Sequence, residues 1–371
     1  FLEKVKTLSL SPEAIKRHHD MKIVYTPIHG TGLKLIPRSL ANYGFTNIIG
    51  VPEQEVLSGD FPTVASPNPE EPSAMAMAIE KAKETGAEVV MASDPDADRI
   101  GLVIRDNNGE YVLINGNQIV MIFLNYLMTR NTELGTLTGN EYIVKTIVTT
   151  ETIRTIAEAQ HIKMYDCFTG FKWIANVMRE NEGKARYLGG GEESYGFLAE
   201  DFVRDKDSVS AISLMAEIAA WAKDKGLNMT DMLIDIYMKY GFSREKGISL
   251  VRKGKSGAEE IIALMKQFRE NPPKEIAGSP VVTVKDFQSL VETNVATGET
   301  KKLDMPATSN VLQYYTADRT KVSVRPSGTE PKIKFYIEVH DTLASADEYK
   351  ATEARADEKI DRIAKEFGIT K

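Results

Sequence analysis

Residues 88–104 read Glu88-Val89-Val90-Met91-Ala92-Ser93-Asp94-Pro95-Asp96-Ala97-Asp98-Arg99-Ile100-Gly101-Leu102-Val103-Ile104, an apolar run, an acidic hexamer and a second apolar run. Short apolar runs bounded by turn-forming residues are the signature of buried strands. Upstream, Pro72 stands where a helix tolerates proline, Met75, Ile79 and Ala82 follow at helical spacing, and Gly86 offers a stop. Further upstream, Lys22–Tyr25 reads as a strand ended by Thr26-Pro27 and the glycines of His29-Gly30-Thr31-Gly32, and Leu33–Tyr43 as a helix. Downstream, Tyr111–Ile114 follows Asn107-Asn108-Gly109, a hairpin signal. Helices alternating with strands imply α/β, and the hairpin makes the sheet mixed.

The rhythm repeats. Gln118–Met128 reads as a helix, Tyr142–Val148 as a strand, and Glu151–Gln160 as a helix capped by Thr149 or Thr150. Arg186–Leu188 reads as a short strand feeding Gly189-Gly190-Gly191, and Val209–Ala222 as a long helix capped by Asp207 or Ser208. Around Tyr240–Lys255 the character changes, and Asn271-Pro272-Pro273 breaks the chain. The remainder is strand-rich (Val281–Val284, Val311–Tyr315, Lys321–Val324, Lys332–Val339) and closes on an amphipathic helix, Ser345–Phe367. The expected architecture is two similar mixed-sheet α/β domains, 1–114 and 115–240, followed by an α+β domain, 241–371.

A chain of 371 residues with 42% hydrophobic content is too long for one ordinary core and too apolar for disorder. Forty-six Lys+Arg against 53 Asp+Glu give a formal charge of −7, which argues against general affinity for nucleic acid or anionic membrane. One cysteine, Cys167, excludes a disulfide framework and a cysteine-based zinc site, and fits a reducing, cytoplasmic compartment. No stretch approaches the roughly 18 apolar residues of a membrane helix.

Three loops hold residues suited to chemistry. In Asp94-Pro95-Asp96-Ala97-Asp98-Arg99, carboxylates at spacing two repel one another unless something positive sits among them; in a turn their oxygens can converge on a hard divalent cation such as Mg²⁺. An EF-hand is excluded, because Arg99 and Arg105 occupy its glycine and bidentate-acid positions. The competing reading is a solvated acidic turn. Gly191-Glu192-Glu193-Ser194-Tyr195-Gly196 offers carboxylates and a hydroxyl of the kind that bind sugar hydroxyls; a helix start with acidic first-turn residues is the simpler reading. Arg325-Pro326-Ser327-Gly328-Thr329-Glu330-Pro331, between two strand-like segments, can aim backbone N–H groups, the Ser327 and Thr329 hydroxyls and the Arg325 fork at a phosphate; a plain hairpin loop is the alternative. His29, in its glycine-rich loop, is an acid/base or structural candidate. Lys172, in Thr169-Gly170-Phe171-Lys172, reads as a loop residue that binds phosphate, shuttles a proton or is merely solvated.

In this order the motifs closely resemble the α-D-phosphohexomutase family, which includes phosphoglucomutases and phosphomannomutases, from about Lys22 to Val339. The resemblance implies a four-domain protein whose last domain is TATA-binding-protein-like, with 1–114, 115–240 and 241–371 as its domains two, three and four. It implies Asp94, Asp96 and Asp98 as Mg²⁺ ligands and Arg99 beside the reacting phosphate. Glu192 and Ser194 would read sugar O3 and O4, while Arg325, Ser327, Gly328 and Thr329 hold the non-transferring phosphate. Lys172 would assist proton transfer, and His29 would lie near the phosphoserine. It also implies glucose 1,6-bisphosphate as intermediate and activator, sugar phosphates as ligands and an N-terminal domain of the same polypeptide as partner; the net charge argues against nucleic-acid or membrane partners.

The family's nucleophile, a serine in a Thr-Ala-Ser-His-Asn-Pro-type motif of the first domain, has no counterpart here. Val64-Ala65-Ser66-Pro67-Asn68-Pro69 lacks the histidine and falls in the second domain, so Ser66 is not nominated. The expectation is a fragment without the N-terminal phosphoserine domain, inactive alone. Gly-Glu-Glu-Ser-aromatic-Gly looks more like the glucose-phosphate branch than the mannose or glucosamine branches. A phosphopentomutase of the same family, or a non-catalytic sugar-phosphate binder, are the alternatives.

Overall fold

A computed structural model describes residues 1–252, 254–328 and 330–369, which form two compact units, 1–236 and 237–371. No helix among the described residues is long and apolar enough to cross a membrane.

The first unit holds two sheets. Strands β1 (Ile23–Thr26), β2 (Ile48–Gly50), β3 (Val89–Ser93), β4 (Ile100–Arg105) and β5 (Tyr111–Ile114) lie in the order β2-β1-β3-β4-β5, with β2, β1 and β3 parallel and β4 and β5 antiparallel. Strands β6 (Glu141–Thr146), β7 (Lys163–Cys167), β8 (Arg186–Glu192) and β9 (Gly196–Ala199) lie as β7-β6-β8-β9, again parallel up to an antiparallel last strand. The expected mixed α/β sheets are present. The helix Pro72–Thr85 ends on left-handed Gly86 and buries Ala74, Met75, Ala78 and Ala82 against the first sheet.

Helix Ser208–Asp224 explains why the two sheets form one unit. It is buried all round, as its nearly uninterrupted apolar sequence requires. Its one buried carboxylate, Glu217, accepts from Tyr126 Oη at 2.6 Å, from the Leu10 amide at 2.8 Å, and from the Ser9 hydroxyl. A charge there is tolerable only because donors from the amino-terminal segment and the helix Gly116–Glu133 converge on it.

Several local expectations need correction. The glycines 189–191 lie inside β8 rather than after it. A Cβ at Gly189 or Gly191 would come within 2.9 Å of Leu127 or 2.7 Å of Val120 on the helix packed above, so the strand must be bare to be covered. Helix Thr152–Ala159 starts from Glu151, whose own side chain does not cap it; of the two expected caps, Thr150 Oγ1 accepts the Thr152 amide at 3.3 Å, while the Thr149 hydroxyl points to Glu193. Phe171 and Lys172 form the first turn of helix Phe171–Asn181, not a loop.

The second unit has an eight-stranded sheet: β10 (Phe242–Val251), β11 (Glu275–Ile276), β12 (Ser279–Asp286), β13 (Val291–Asn294), β14 (Thr300–Lys302), β15 (Leu312–Thr316), β16 (Lys321–Pro326) and β17 (Lys332–Asp341). The order is β10-β17-β16-β15-β12-β13-β14, with β11 paired to β12 and every pairing antiparallel. Helices Gly254–Glu270 and Tyr349–Glu366 pack on it, and Phe268, Phe335 and Phe367 form an aromatic core with centroids 5.6–6.0 Å apart. β10 was not expected. Its cations, Arg244 and Lys246, are neutralised by Glu353, Asp357 and Asp361 on the last helix.

Candidate functional site

The acidic hexamer joins β3 to β4 beyond the carboxyl end of β3, where open α/β sheets present ligand sites. Ala97 N–H returns to Asp94 O at 3.0 Å, and Ala97 adopts a left-handed φ of 60°. This tight turn brings one carboxylate oxygen each of Asp94, Asp96 and Asp98 within 4.8 Å of one another. Asp94 Oδ1 accepts from the Asp98 and Arg99 amides at 3.0 and 2.9 Å. Burial first, then the charges of Asp98 and Asp96, push the Asp94 carboxyl up to about 7, against those two amides. Concentrated like charge on hard oxygen donors is the setting that a small divalent cation relieves, so the residues fit one.

Positive side chains rim the turn. Arg99 Nη1 donates to Glu70 at 2.9 Å, and its Nε lies 3.7 and 3.8 Å from Asp94 and Asp98. Glu70 owes its place to the Pro67-Asn68-Pro69 segment, where Asn68 Oδ1 accepts the Glu70 amide at 3.1 Å. Lys206, which the sequence reading missed, puts Nζ 2.7 Å from Asp98 Oδ2. Burial pulls its pKa down, but the hydrogen bond and charge of Asp98 raise it on balance.

Two other segments hold the turn. Thr31 donates N–H and hydroxyl to Pro95 O at 2.8 and 3.0 Å. A Cβ at Gly30 would lie 2.4 Å from Pro95 Cα, so only glycine permits this approach. Ser208, at the start of its helix, donates N–H and hydroxyl to Ala97 O at 3.1 and 2.6 Å.

His29 does not face the aspartates. It is buried, with Nδ1 2.7 Å from Val56 O and Nε2 2.7 Å from Thr63 Oγ1. A carbonyl only accepts, so Nδ1 carries the proton and Nε2 receives the Thr63 hydroxyl. Both ring nitrogens are committed to residues 56–63, which leaves none for an acid/base step.

The Gly-Glu-Glu-Ser-Tyr-Gly segment is a hairpin rather than a helix start: residues 193–195 turn β8 into β9. Tyr195 O accepts the Ile100 amide at 3.1 Å, which joins this hairpin to the start of β4 and so to the aspartate turn. Glu192 is buried and its carboxyl is pushed up to about 7 by burial and by Glu193; Lys206, Arg99 and the Gly170 amide at 3.3 Å oppose the shift. Lys172 is exposed, its ammonium 5.7 Å from the Trp173 ring, two residues past that Gly170 contact. Glu193 accepts Thr146 and Thr149 hydroxyls on Oε2 at 3.0 and 3.3 Å and the Ser194 hydroxyl on Oε1 at 3.2 Å. Asp94, Asp96, Asp98, Arg99, Glu192 and Ser194 thus lie on linked turns and strand ends of one unit, with Lys172 in the first turn of the helix beside Gly170.

In the second unit, Arg325 is half-buried near the end of β16, and Ser327 and Gly328 begin the loop to β17. Thr329 lies outside the described residues. The Ser327 amide donates to Lys332 O at 2.7 Å, so that N–H closes the hairpin rather than facing outward. Lys334, not singled out from the sequence, is the direct cross-strand partner of Arg325. The alternation Lys332-Ile333-Lys334-Phe335 was the available signal, because it places both lysines on the face opposite the aromatic core.

Family models for phosphoglucomutase/phosphomannomutase match in series: the alpha/beta/alpha domain II over residues 1–109, domain III over 115–240 and the C-terminal domain over 273–356. The chain belongs to the phosphoglucomutase/phosphomannomutase family. It is 35% identical over 321 residues to a phosphoglucomutase of Staphylococcus haemolyticus, an alignment that covers 86% of this chain but 58% of the relative. Among solved structures it is similar to the Paramecium parafusin (phosphoglucomutase) in its open form, with TM-score 0.65 and 18% identity over 98% of this chain and 61% of that one. It is also similar to the Aspergillus fumigatus N-acetylphosphoglucosamine mutase solved with GlcNAc-6P and magnesium, with TM-score 0.51 and 12% identity over 95% of this chain and 69% of that one.

Proposed function

We propose that this chain supplies the metal-, sugar- and phosphate-binding domains of a cytoplasmic phosphohexomutase that interconverts hexose 1-phosphates and 6-phosphates, with glucose the first substrate and mannose the second. The observation behind this reading is the junction of the aspartate turn with the Glu192–Tyr195 hairpin, through Ile100 and Tyr195 and through Lys206 at Asp98.

On this reading Asp94, Asp96 and Asp98 hold Mg²⁺, which when bound supplies positive charge at the transferring phosphoryl group. A phosphoserine of an N-terminal domain gives its phosphoryl group to a sugar oxygen: the new P–O bond forms as the serine P–O bond breaks. The resulting glucose 1,6-bisphosphate turns over and returns its other phosphoryl group to the serine. Arg99, braced by Glu70, offers its guanidinium beside the transferring group. Glu192 and Ser194 orient the ring through two hydroxyls. Arg325, Ser327, Gly328 and Thr329, with Lys334, grip the far phosphate by charge and hydrogen bonding, a grip indifferent to which end of the sugar carries it. Lys172 assists proton transfer by lending its charge at the attacking hydroxyl, and the proton released there ends on the serine oxygen whose P–O bond breaks. His29 positions residues 56–63 rather than moving protons. Positioning and charge neutralisation provide most of the rate in such transfers.

A coupled assay with glucose 1-phosphate, Mg²⁺ and glucose 1,6-bisphosphate tests this. The chain alone gives no turnover, and fusion to a family N-terminal domain restores it. Robust turnover by residues 1–371 alone would overturn the need for an outside nucleophile. In the active fusion, Asp98→Asn abolishes most turnover with folding intact; a near-normal rate would remove the metal assignment. Comparing kcat/KM on glucose, mannose and ribose 1-phosphates separates this reading from a phosphopentomutase, and an inactive fusion that still binds hexose phosphate marks a non-catalytic binder.

A further inference from the structure

Two glutamates stand side by side in the β8–β9 hairpin, and the surrounding donors treat them differently. Glu192 meets one backbone amide at 3.3 Å. Both oxygens of Glu193 are engaged: Oε2 by the Thr146 and Thr149 hydroxyls, themselves 2.8 Å apart, and Oε1 by Ser194 Oγ at 3.2 Å. The threonines are themselves fixed from below. Lys145 is fully buried, its ammonium 3.4 and 3.3 Å from the Thr146 and Thr149 carbonyls and 3.0 and 2.9 Å from Glu151 and Asp166. Arg154 closes the set by pairing with both of those acids. Two cations and two anions balance, so the turn 146–149 is held by a neutral, tightly bonded cluster. Glu193 therefore stands on a rigid base.

The consequence lies in Ser194. A carboxylate cannot donate, so in the Ser194–Glu193 bond the serine gives its only proton. Ser194 is half-buried, and its oxygen keeps lone pairs for a ligand. We infer that Glu193 is a specificity-determining positioning residue: by taking the Ser194 proton it makes Ser194 an obligatory acceptor, so the hairpin recognises sugar hydroxyls only as donors. This inference rests on the hexose-phosphate reading above and names the polarity of its sugar contact. A group that accepts but never donates, such as fluorine in place of a hydroxyl, leaves Ser194 facing lone pairs with lone pairs.

Calorimetric titration of the full chain with glucose 1-phosphate and its 3-deoxy-3-fluoro and 4-deoxy-4-fluoro analogues tests this. One position is read by Ser194 and the other by Glu192, and in the wild type fluorine at either weakens binding by roughly tenfold. In Glu193→Gln the amide oxygen stays with the two threonine hydroxyls that converge there, and the amide nitrogen turns to Ser194 and donates to it. Ser194 can then donate outward. At one position the fluorine penalty shrinks to within about threefold, while at the other it persists. If Glu193 merely stabilised the fold, the variant would weaken all three ligands in proportion, and unchanged ratios overturn the inference. Should Glu193→Gln fail to fold, Ser194→Ala serves: it abolishes the penalty at one position, and a penalty retained at both refutes the acceptor role. A wild type that binds glucose 1-phosphate and its fluoro analogues equally sinks this inference alone. A wild type that binds none of them removes the underlying function with it.

Discussion

Both sheets of the first unit turn back after their third strand, and the two turns occupy equivalent places in the topology: residues 94–99 between β3 and β4, and 193–195 between β8 and β9. They solve the problem of closely placed carboxylates in opposite ways. Asp94, Asp96 and Asp98 face one another and rely on positive charge, from Arg99 at the end of the turn and from Lys206, brought in from far along the chain. Glu193 is satisfied by neutral hydroxyls of its own sheet. A loop that imports positive charge suits a cation and a phosphoryl group; a loop already balanced by hydroxyls suits a neutral ring. Topological equivalence did not impose equivalent chemistry.

The most damaging way to break the comparison is to prevent the Glu193 turn from closing. Gly116 starts the helix beneath it, and a Cβ there would lie 2.0 Å from Glu193 O and 2.9 Å from Tyr195 N. Backbone cannot move aside as a flexible side chain does. Gly116→Ala should therefore cost about 3 kcal/mol or more, read as a lower urea midpoint. An unchanged midpoint would mean that helix and turn are not in contact.

A second effect isolates Glu192 by substitution, because the Asp94 carboxyl is also pushed up to about 7 and titrates in the same range. A glutamate whose folded pKa is about 7 binds its proton more tightly folded than unfolded, where the value is near 4.5. Below pH 4.5 the group is protonated in both states and costs nothing. As pH rises from 4.5 to 7 the unfolded state ionises first and stability is lost, by no more than about 3 kcal/mol. Glu192→Gln has no such titration. In metal-free buffer it should match the wild type at pH 4.5 and become progressively more stable than it up to pH 7. Parallel stability curves would show that Glu192 is not held in a desolvated site.

The difference between the two turns was half legible in the sequence. Asp94-Pro95-Asp96-Ala97-Asp98 could be placed at a strand end because apolar runs flank it and local repulsion demands a counter-charge. The identity of that counter-charge was not legible: Lys206 lies in Asp205-Lys206-Asp207, which reads as solvated surface, and its partner is remote in sequence. The glycines 189–191 read as a loop because glycine usually marks one, yet here a covering helix demands bare strand. β10 was hidden for a related reason. Arg244, Glu245 and Lys246 imitate a loop until a helix more than a hundred residues later supplies acids for the two cations. Short-range pattern reveals which residues must be neutralised or covered, and tertiary structure chooses what does it.

The smallest expected effect asks whether the aspartate turn depends on the helix that touches it. Asp207 caps Ser208–Asp224, with Oδ1 accepting the Val209 amide at 3.2 Å and Oδ2 the Ser210 amide at 2.9 Å. The first residue past the cap, Ser208, holds Ala97 O. Asp207→Ala should cost about 1 kcal/mol, the ordinary worth of an N-cap, with a small rebate because burial raises the Asp207 carboxyl's pKa. Fraying should then begin at Ser208, which anchors the aspartate turn and not the Glu193 turn. Amide exchange should accordingly quicken at Ala97 and Asp98 while Thr146 and Ile147 keep their protection. Equal acceleration in both places would mean that the two turns are one cooperative element, and the contrast between them would be chemical only.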